Sequence, residues 1–142
     1  MSDDELIAAR HLAADPVRVW QAFTSPDGLA AFWGGAHATV PPGSVTVDLR
    51  AGGGFALDTR APGGATRRLR FVYARVAAPH ELVFDEPATG IRTTVTLTPA
   101  AAGTDLAVHQ RRLPPELRTR QAADGLAAIL DALATYVEKE AA

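Results

Sequence analysis

The sequence is short of several features, and each shortage narrows the classes of protein to consider. It has no cysteine, which excludes disulfide bonds and thiolate chemistry and argues against a secreted scaffold held by disulfides. Its formal net charge is −2, so it lacks the positive surplus that phosphate contacts require, and we expect no nucleic acid partner. No uncharged apolar run reaches the roughly 18 residues of a membrane-spanning helix, so we expect no membrane insertion.

The opening segment, the length and the composition add further expectations. The first ten residues, MSDDELIAAR, lack a basic region followed by an apolar one, so we expect no signal peptide and a cytoplasmic protein. A chain of 142 residues with 47% hydrophobic residues predicts one globular domain over residues 1–142. Aromatic residues make up only 6%, so the core must use many small side chains, which fill a concave space poorly.

The first third of the chain carries one strand and two helix-start signals. Residues 6–13 read as a strand. Asp15 before Pro16 predicts a helix start, because aspartate caps well and proline suits the first helical position. Ser25-Pro26-Asp27 starts a second short helix in the same way, and Gly34-Gly35 ends it.

From residue 44 onward, apolar residues recur with the period of two that is typical of β-strands. Val45 and Val47 lead through the glycines at 52–54 into a return strand beginning at Phe55, which predicts a hairpin. Further strands follow, separated by glycine or proline turn signals, over residues 67–77, 82–84, 91–98 and 104–110. Short turns make these about six strands antiparallel neighbours.

A long helix is predicted to open at Pro114-Pro115. Its apolar positions form one buried stripe, consisting of Leu126, Ile129, Leu130, Leu133 and Val137. About 23 residues give a rod of roughly 35 Å, whereas strands of about seven residues span only ~23 Å, so a twisted sheet covers the rod by curling around it. We therefore predict an α+β fold: a curved antiparallel sheet of about six to seven strands wrapped around a long C-terminal helix, with two short helices after the first strand.

Four segments carry a resemblance to a known family. In chain order they are ADPVRVWQAFTSPDGLAAFWGG, VDLRAGGGF, GIRTTVTLTPAAAGTDLAVHQ and DGLAAILDALATYV. Together they resemble the SRPBCC (START-like) superfamily, and within it the bacterial branch homologous to the activator of the ninety-kilodalton heat-shock-protein ATPase. This chain departs from that branch in the last helix, where Gly125 is followed by Leu126 instead of the usual tryptophan.

The resemblance implies a helix-grip fold with a cavity between the sheet and the long helix. Superfamily members include lipid carriers, polyketide cyclases, hormone receptors and co-chaperones, so the fold alone leaves the function open. Phe32 and Trp33 are adjacent and point about 100° apart on a helix, so they cannot share one narrow stripe. Two interpretations remain: both aromatic residues plug the end of the core, or one of them lines the cavity entrance.

The same choice between filled and empty space arises in the long helix. Gly125 costs up to ~1 kcal/mol relative to alanine, and either close packing on the sheet or a gap kept for a ligand would explain it. We favour some enclosed space, because a curved sheet cannot approach a straight helix equally closely everywhere.

A set of inward-facing and nearby polar residues is predicted to bind the ligand. Tyr73 and Arg75 alternate in register with Phe71, on the face assigned to the interior, and His37 follows the glycines near the expected cavity mouth. A few polar groups among apolar neighbours are typical of a small-molecule pocket. The full predicted set is Phe32, Trp33, His37, Phe71, Tyr73, Arg75, Phe84, Val95, His109, Leu126 and Leu130.

The histidines give no sign of a metal site. None of the four has a partner at the i, i+4 spacing of a helical metal site, and no acidic cluster accompanies them, so no metal is predicted. His109 lies on the strand face opposite Leu106 and Val108, and hydrogen bonding is the alternative to its ligand role. Nucleophile and phosphate-loop motifs are absent, so no catalytic residue and no cofactor are predicted.

The leading functional hypothesis is non-catalytic binding of a small apolar or amphipathic molecule between the sheet and the last helix. The first alternative is a cyclase- or hydrolase-type enzyme, which needs an acid–base pair converging in the cavity. The second alternative is a chaperone-interacting module, which needs a long exposed patch that the sequence does not display. Homodimers occur in the branch, so a homodimer also stays open as an expectation.

Overall fold

The computed structural model describes residues 4–35 and 38–141. Within these residues, the elements follow one another in the order β1, α1, α2, β2 to β7 and α3. The strands are β1 (Leu6–Leu12), β2 (Thr46–Asp48), β3 (Gly54–Arg60), β4 (Thr66–Ala77), β5 (Glu81–Glu86), β6 (Ile91–Ala100) and β7 (Gly103–Arg111). The helices are α1 (Pro16–Thr24), α2 (Pro26–Phe32) and α3 (Arg120–Ala141), and single 3-10 turns occupy Pro42–Ser44 and Pro115–Leu117.

The strands form one antiparallel sheet in the order β1-β7-β6-β5-β4-β3-β2. Strands β2 to β7 therefore run as a meander, and β1 pairs with β7 along its whole length, from Leu6 opposite Gln110 to Leu12 opposite Thr104. The long helix α3 packs against β1, α1 and α2. The predicted α+β helix-grip architecture is confirmed.

Side-chain caps start both short helices where the sequence predicts. The backbone N–H of Arg18 donates to Asp15 Oδ1 at 3.0 Å, and that of Gly28 donates to Ser25 Oγ at 3.1 Å. Each cap satisfies one of the backbone donors that the first turn of a helix leaves without a partner. Proline follows each cap at the first helical position, so α1 and α2 begin at fixed points after β1.

The long helix begins later than predicted. Pro115 opens only the 3-10 turn, because Arg118 leaves the helical conformation with φ −90° and ψ 57°. The α-helix starts at Arg120. In its first turn, the backbone N–H of Ala122 donates to the Thr119 hydroxyl at 3.2 Å. Its 22 residues give a rod of about 33 Å. No helix in the described part of the chain, α3 included, is long and apolar enough to cross a membrane.

Burial differs between the two ends of α3. Leu133 and Val137, in its C-terminal half, are fully buried with 0% exposure, as are Leu12 of β1 and Val19 of α1. Leu126, in its N-terminal half, is only partly buried. The core is therefore closed under the C-terminal half of α3 and less completely filled under its N-terminal half.

Candidate functional site

A partly open pocket of about 160 Å³ lies between the inner face of the sheet and the N-terminal half of α3. An engineered apolar cavity of roughly 150 Å³ in another protein stays dry and binds benzene, so this volume suits one small ring system. The wall is predominantly apolar. It consists of Phe23, Phe32, Trp33, Leu69, Phe71, Phe84, Glu86, Ile91, Thr93, Val95, Val108, Gln110, Leu126, Ile129 and Leu130.

Phe32 and Trp33 both reach this wall but differ in burial. Phe32 is 1% exposed and packs edge-on against Phe23, with ring centroids 5.1 Å apart. Trp33 is only partly buried and packs against Phe71 and Phe84, with ring centroids 5.2 and 6.3 Å apart. Phe32 is thus a core residue that also borders the pocket, while Trp33 is a partly exposed part of its rim.

The two glycines after Trp33 are required by close backbone contacts. A Cβ on Gly34 would lie 2.1 Å from the carbonyl oxygen of Ala38, which is a severe overlap. Gly35 has a φ of +59°, and a Cβ there would lie 3.1 Å from the backbone nitrogen of Ile129. This φ lies in the left-handed region that glycine adopts without strain. The glycines therefore let the chain turn away from α2 directly beside Ile129 of α3. Trp33, which precedes them, lines the pocket together with Leu126 and Ile129.

Gly125 faces open space. A Cβ placed on Gly125 would meet no heavy atom within 4 Å. Of the two explanations offered for this glycine, close packing on the sheet is therefore wrong. Gly125 is not among the residues of the pocket wall, so the space around it is not part of the pocket.

Three polar side chains lie together at the end of the pocket nearest the β5–β6 turn. Thr93 of β6 stands between Phe84 of β5 and Gln110 of β7 in the strand register. Glu86 is the last residue of β5 and pairs with Ile91 one row closer to the turn. Thr93 is 6% exposed, and the other two are partly buried. The pocket thus has an apolar body and one polar end.

The hydrogen-bonding capacity of this polar end is mostly unused. The Thr89 hydroxyl donates to Glu86 Oε1 at 2.9 Å, which leaves the second carboxylate oxygen without a described partner. The side chains of Thr93 and Gln110 form no hydrogen bond with any other residue in the described ranges. None of these side-chain atoms is among the fully buried atoms without a partner, so they remain accessible to a molecule in the pocket.

Comparisons with known proteins identify the family. The model of the family described as Activator of Hsp90 ATPase homolog 1-like protein matches residues 13–138. The chain belongs to the AHSA1 family. The predicted resemblance to this branch of the SRPBCC superfamily is therefore confirmed, and a search of curated proteins gives no significant match.

Solved structures agree with this assignment. A protein from Chromobacterium violaceum is 25% identical, with a TM-score of 0.87 and coverage of 94% of this chain and 97% of that one. A protein from Rhodobacter sphaeroides is 27% identical, with a TM-score of 0.82 and coverage of 98% and 92%. An AHSA1-like protein from Aeromonas hydrophila is 25% identical, with a TM-score of 0.81 and coverage of 96% and 94%. The chain is thus similar to these bacterial proteins over almost its whole length.

Seven predicted site residues of this AHSA1 chain are brought together on the pocket wall. Their common feature is that they face inward from helices or strands, as their periodicity indicates. They are Phe32, Trp33, Phe71, Phe84, Val95, Leu126 and Leu130. Their role in binding a ligand stays a prediction. His37 lies outside the described residues, so its predicted place at the mouth is not described.

The interior placement predicted for Arg75 is wrong. The register between β4 and β5 shifts between Tyr73, which faces Phe84, and Arg75, which faces Val83. One extra residue in a strand moves everything after it to the opposite face. Arg75 therefore points outward, where its side chain is 64% exposed and pairs with Glu81.

His109 also lies away from the pocket. It stands on the outer face of β7, as its alternation with Val108 predicts, and its Nε2 lies 2.9 Å from Glu5 Oε1. It is therefore not part of the wall of this pocket, and its contact with Glu5 fits the hydrogen-bonding alternative. Among the described residues, no group of three or more His, Asp or Glu side chains could hold a metal ion.

Tyr73 faces inward but does not reach the pocket wall. It is 1% exposed, and its hydroxyl is buried without a hydrogen-bond partner among the described residues. Burial, together with the negative charge of Asp48, raises the pKa of the Tyr73 phenol far above its ordinary value of 10.0. The predicted role of Tyr73 in orienting a ligand has no support in this geometry.

The polar end of the pocket was not predicted from the sequence. Thr93 shares a face with Val95, and Gln110 shares one with Val108, so alternation alone gives both an inward direction. Polar residues at inward positions of a strand were the signal that could have found them. The remaining wall residues outside the prediction are Phe23, Leu69, Glu86, Ile91, Val108 and Ile129.

Proposed function

We propose that this AHSA1 chain binds a small apolar or amphipathic molecule, without catalysis, in the pocket between the sheet and α3. The single observation that carries the proposal is the partly open apolar pocket with Trp33 on its rim. We propose the cytoplasm as the place where this binding occurs.

The physical driving force is burial of apolar surface. Transfer of apolar surface out of water is favourable by about 25 cal/mol per Å². Aromatic rings of Trp33, Phe71 and Phe84 border the pocket at fixed angles, so a flat ring system would find edge and face contacts that need little rearrangement. A pocket that exists before binding keeps the entropic cost of association low.

Two measurements test this proposal. Native mass spectrometry of the protein as purified is expected to reveal a co-purifying small molecule. A ¹⁵N-HSQC titration with ethylbenzene, a neutral apolar probe, is expected to shift the amides of the pocket wall in a saturable way. Absence of both signals would refute the proposal.

A blocking variant makes the titration specific. Leu126→Trp would place an indole into the open space beside Leu126, at a position where the bacterial branch usually has tryptophan. This variant is expected to fold and to lose ethylbenzene binding. Leu49→Trp is the matched control, because Leu49 is 40% exposed and lies outside the pocket wall, and it should bind as the unaltered protein does.

A chaperone-interacting module is the second candidate function, and the description of the matching family favours it. Pull-down of the bacterial ninety-kilodalton chaperone by this protein, together with a changed ATPase rate of that chaperone, would support it. The enzyme alternative requires an acid–base pair, and Glu86 is the one titratable residue of the described pocket wall.

A further inference from the structure

We infer that the ligand of this pocket carries a hydrogen-bond donor, such as a hydroxyl or a protonated amine, on an apolar body of about one ring. This inference rests on the proposed function, because it assumes that the pocket is occupied. It adds the chemical class of the ligand and the direction in which the ligand lies.

The position of the polar groups gives the direction. From the β5–β6 turn inward, the wall passes from the Glu86–Ile91 row to the row of Phe84, Thr93 and Gln110. The next inward-facing row is Val95 opposite Val108. A ligand with one polar group therefore keeps that group at Thr93 and its apolar body against the valines and the rings.

The unused hydrogen-bonding capacity gives the polarity. Thr93 and Gln110 have hydroxyl and amide groups that can donate or accept. An ionised Glu86 only accepts, and one of its oxygens is occupied by Thr89. All three residues can accept from the ligand, whereas only two can donate to it, so the set as a whole favours a ligand that donates.

The charge of Glu86 disfavours a carboxylate at the same place. Two like charges in a partly buried site repel each other strongly, because screening by water is reduced there. Arg67, Arg68 and Arg70 of β4 line a neighbouring groove that shares Leu69 and Glu86 with the pocket, but none of the three arginines is on the pocket wall itself. Arg68 already donates to the carbonyl oxygen of Ser44 and lies 3.3 Å from Asp58.

Four probes of similar size test the inference on the full chain. Benzyl alcohol and benzylamine carry a donor, ethylbenzene carries no polar group, and phenylacetate carries a carboxylate. Dissociation constants come from ¹⁵N-HSQC titrations, in which the shifted amides also show whether the probe lies in the pocket or beside the arginines of β4.

Thr93→Val removes only the hydroxyl and keeps the shape of the side chain. The variant is expected to raise the dissociation constant of benzyl alcohol about three- to ten-fold. The dissociation constant of ethylbenzene should stay unchanged or fall, since only the alcohol loses a hydrogen bond. Thr94→Val is the matched control on the opposite face of β6, and it should change neither probe. Gln110→Leu provides a second variant on the neighbouring strand, with the same expected preference.

Glu86→Gln tests the charge. This variant is expected to raise the dissociation constant of benzylamine about ten-fold and to lower that of phenylacetate. Glu116→Gln, at an exposed site and with the same change in net charge, is the control and should change neither dissociation constant. If Thr93→Val and Glu86→Gln leave all four affinities unchanged, or if phenylacetate enters the pocket as tightly as benzyl alcohol, the inference is overturned while the proposed function stands. If none of the four probes binds and no small molecule co-purifies, the proposed function fails as well.

Discussion

The Trp33 indole lies edge-on to the Phe71 ring, with centroids 5.2 Å apart and planes inclined at 64°. Phe71 is in turn stacked on Phe55 at 4.5 Å. Trp33 thus joins the end of α2 to two neighbouring strands of the sheet. Edge-to-face pairs contribute about 0.5–1.5 kcal/mol beyond the burial of their area, so this contact both stabilises the fold and shapes the pocket rim.

Truncation of this indole should cost stability. Trp33→Ala is expected to lower the free energy of unfolding by about 2–4 kcal/mol, toward the lower end of the range for large aromatic residues because Trp33 is partly exposed. Urea unfolding followed by circular dichroism measures the loss. Ile7→Ala, at a side chain that is 68% exposed, is the control and should cost less than about 1 kcal/mol. Equal losses in the two variants would contradict the role assigned to Trp33.

Two glycines in helices should respond to alanine in opposite directions. Gly125→Ala adds a methyl group where no atom lies within 4 Å, so only helix propensity changes, and stability should rise by up to about 1 kcal/mol. Gly28→Ala places a Cβ 2.2 Å from the carbonyl oxygen of Ala22, so stability should fall. Thermal or urea unfolding of both variants measures the two signs. A destabilised Gly125→Ala protein would mean that the space beside α3 is filled.

Much of the fold was predictable because its signals are local. Asp15 and Ser25 are each followed directly by a proline, and α1 and α2 begin at these prolines. Alternation likewise gave the correct face for Phe71 and Val95, because a strand without irregularities keeps its period. These residues needed no knowledge of distant parts of the chain.

The errors of prediction come from features that local patterns do not encode. The register shift after Tyr73 depends on how β4 meets β5, and it sends Arg75 outward although its spacing to Phe71 indicates an inward position. The start of α3 depends on Arg118, whose backbone leaves the helical conformation, so that no α-helix extends from Pro115. Its guanidinium donates to the carbonyl oxygen of Leu113. The pocket itself is formed by residues from α2, the sheet and α3, so its wall follows from the tertiary fold.

The buried phenol of Tyr73 predicts a response to both mutation and pH. Tyr73→Phe removes a hydroxyl that has no described partner, so stability should stay equal or rise, by up to about 2 kcal/mol. Because folding raises the pKa of this phenol above its ordinary value of 10.0, the protonated form is favoured in the folded state. This contribution is complete below the unfolded pKa and is lost as pH rises from about 10 toward the folded pKa.

Unfolding measured across this alkaline range tests both statements. The unaltered protein should lose stability more steeply above about pH 10 than Tyr73→Phe, since only the former has the perturbed phenol. The comparison removes the contribution of other groups that titrate in the same range, which both proteins share. Parallel stability curves would contradict the raised pKa of the phenol. A strongly destabilised phenylalanine variant would show that the hydroxyl has a partner in the folded protein.

Asp85 predicts a response at the acid end of the pH range. Arg92 donates to both of its oxygens at 2.8 Å, and Arg112 lies 3.3 Å from one of them. These contacts, the hydrogen bonds from Arg92 first, hold the pKa of Asp85 below its ordinary value of 3.8. The resulting stability is present above the unfolded pKa and is lost as pH falls through the lower folded pKa.

Asp85→Asn should therefore cost up to about 1 kcal/mol at neutral pH and less at about pH 3. Urea midpoints of both proteins at the two pH values measure this difference, and a pH-independent cost would contradict a charge-based contribution.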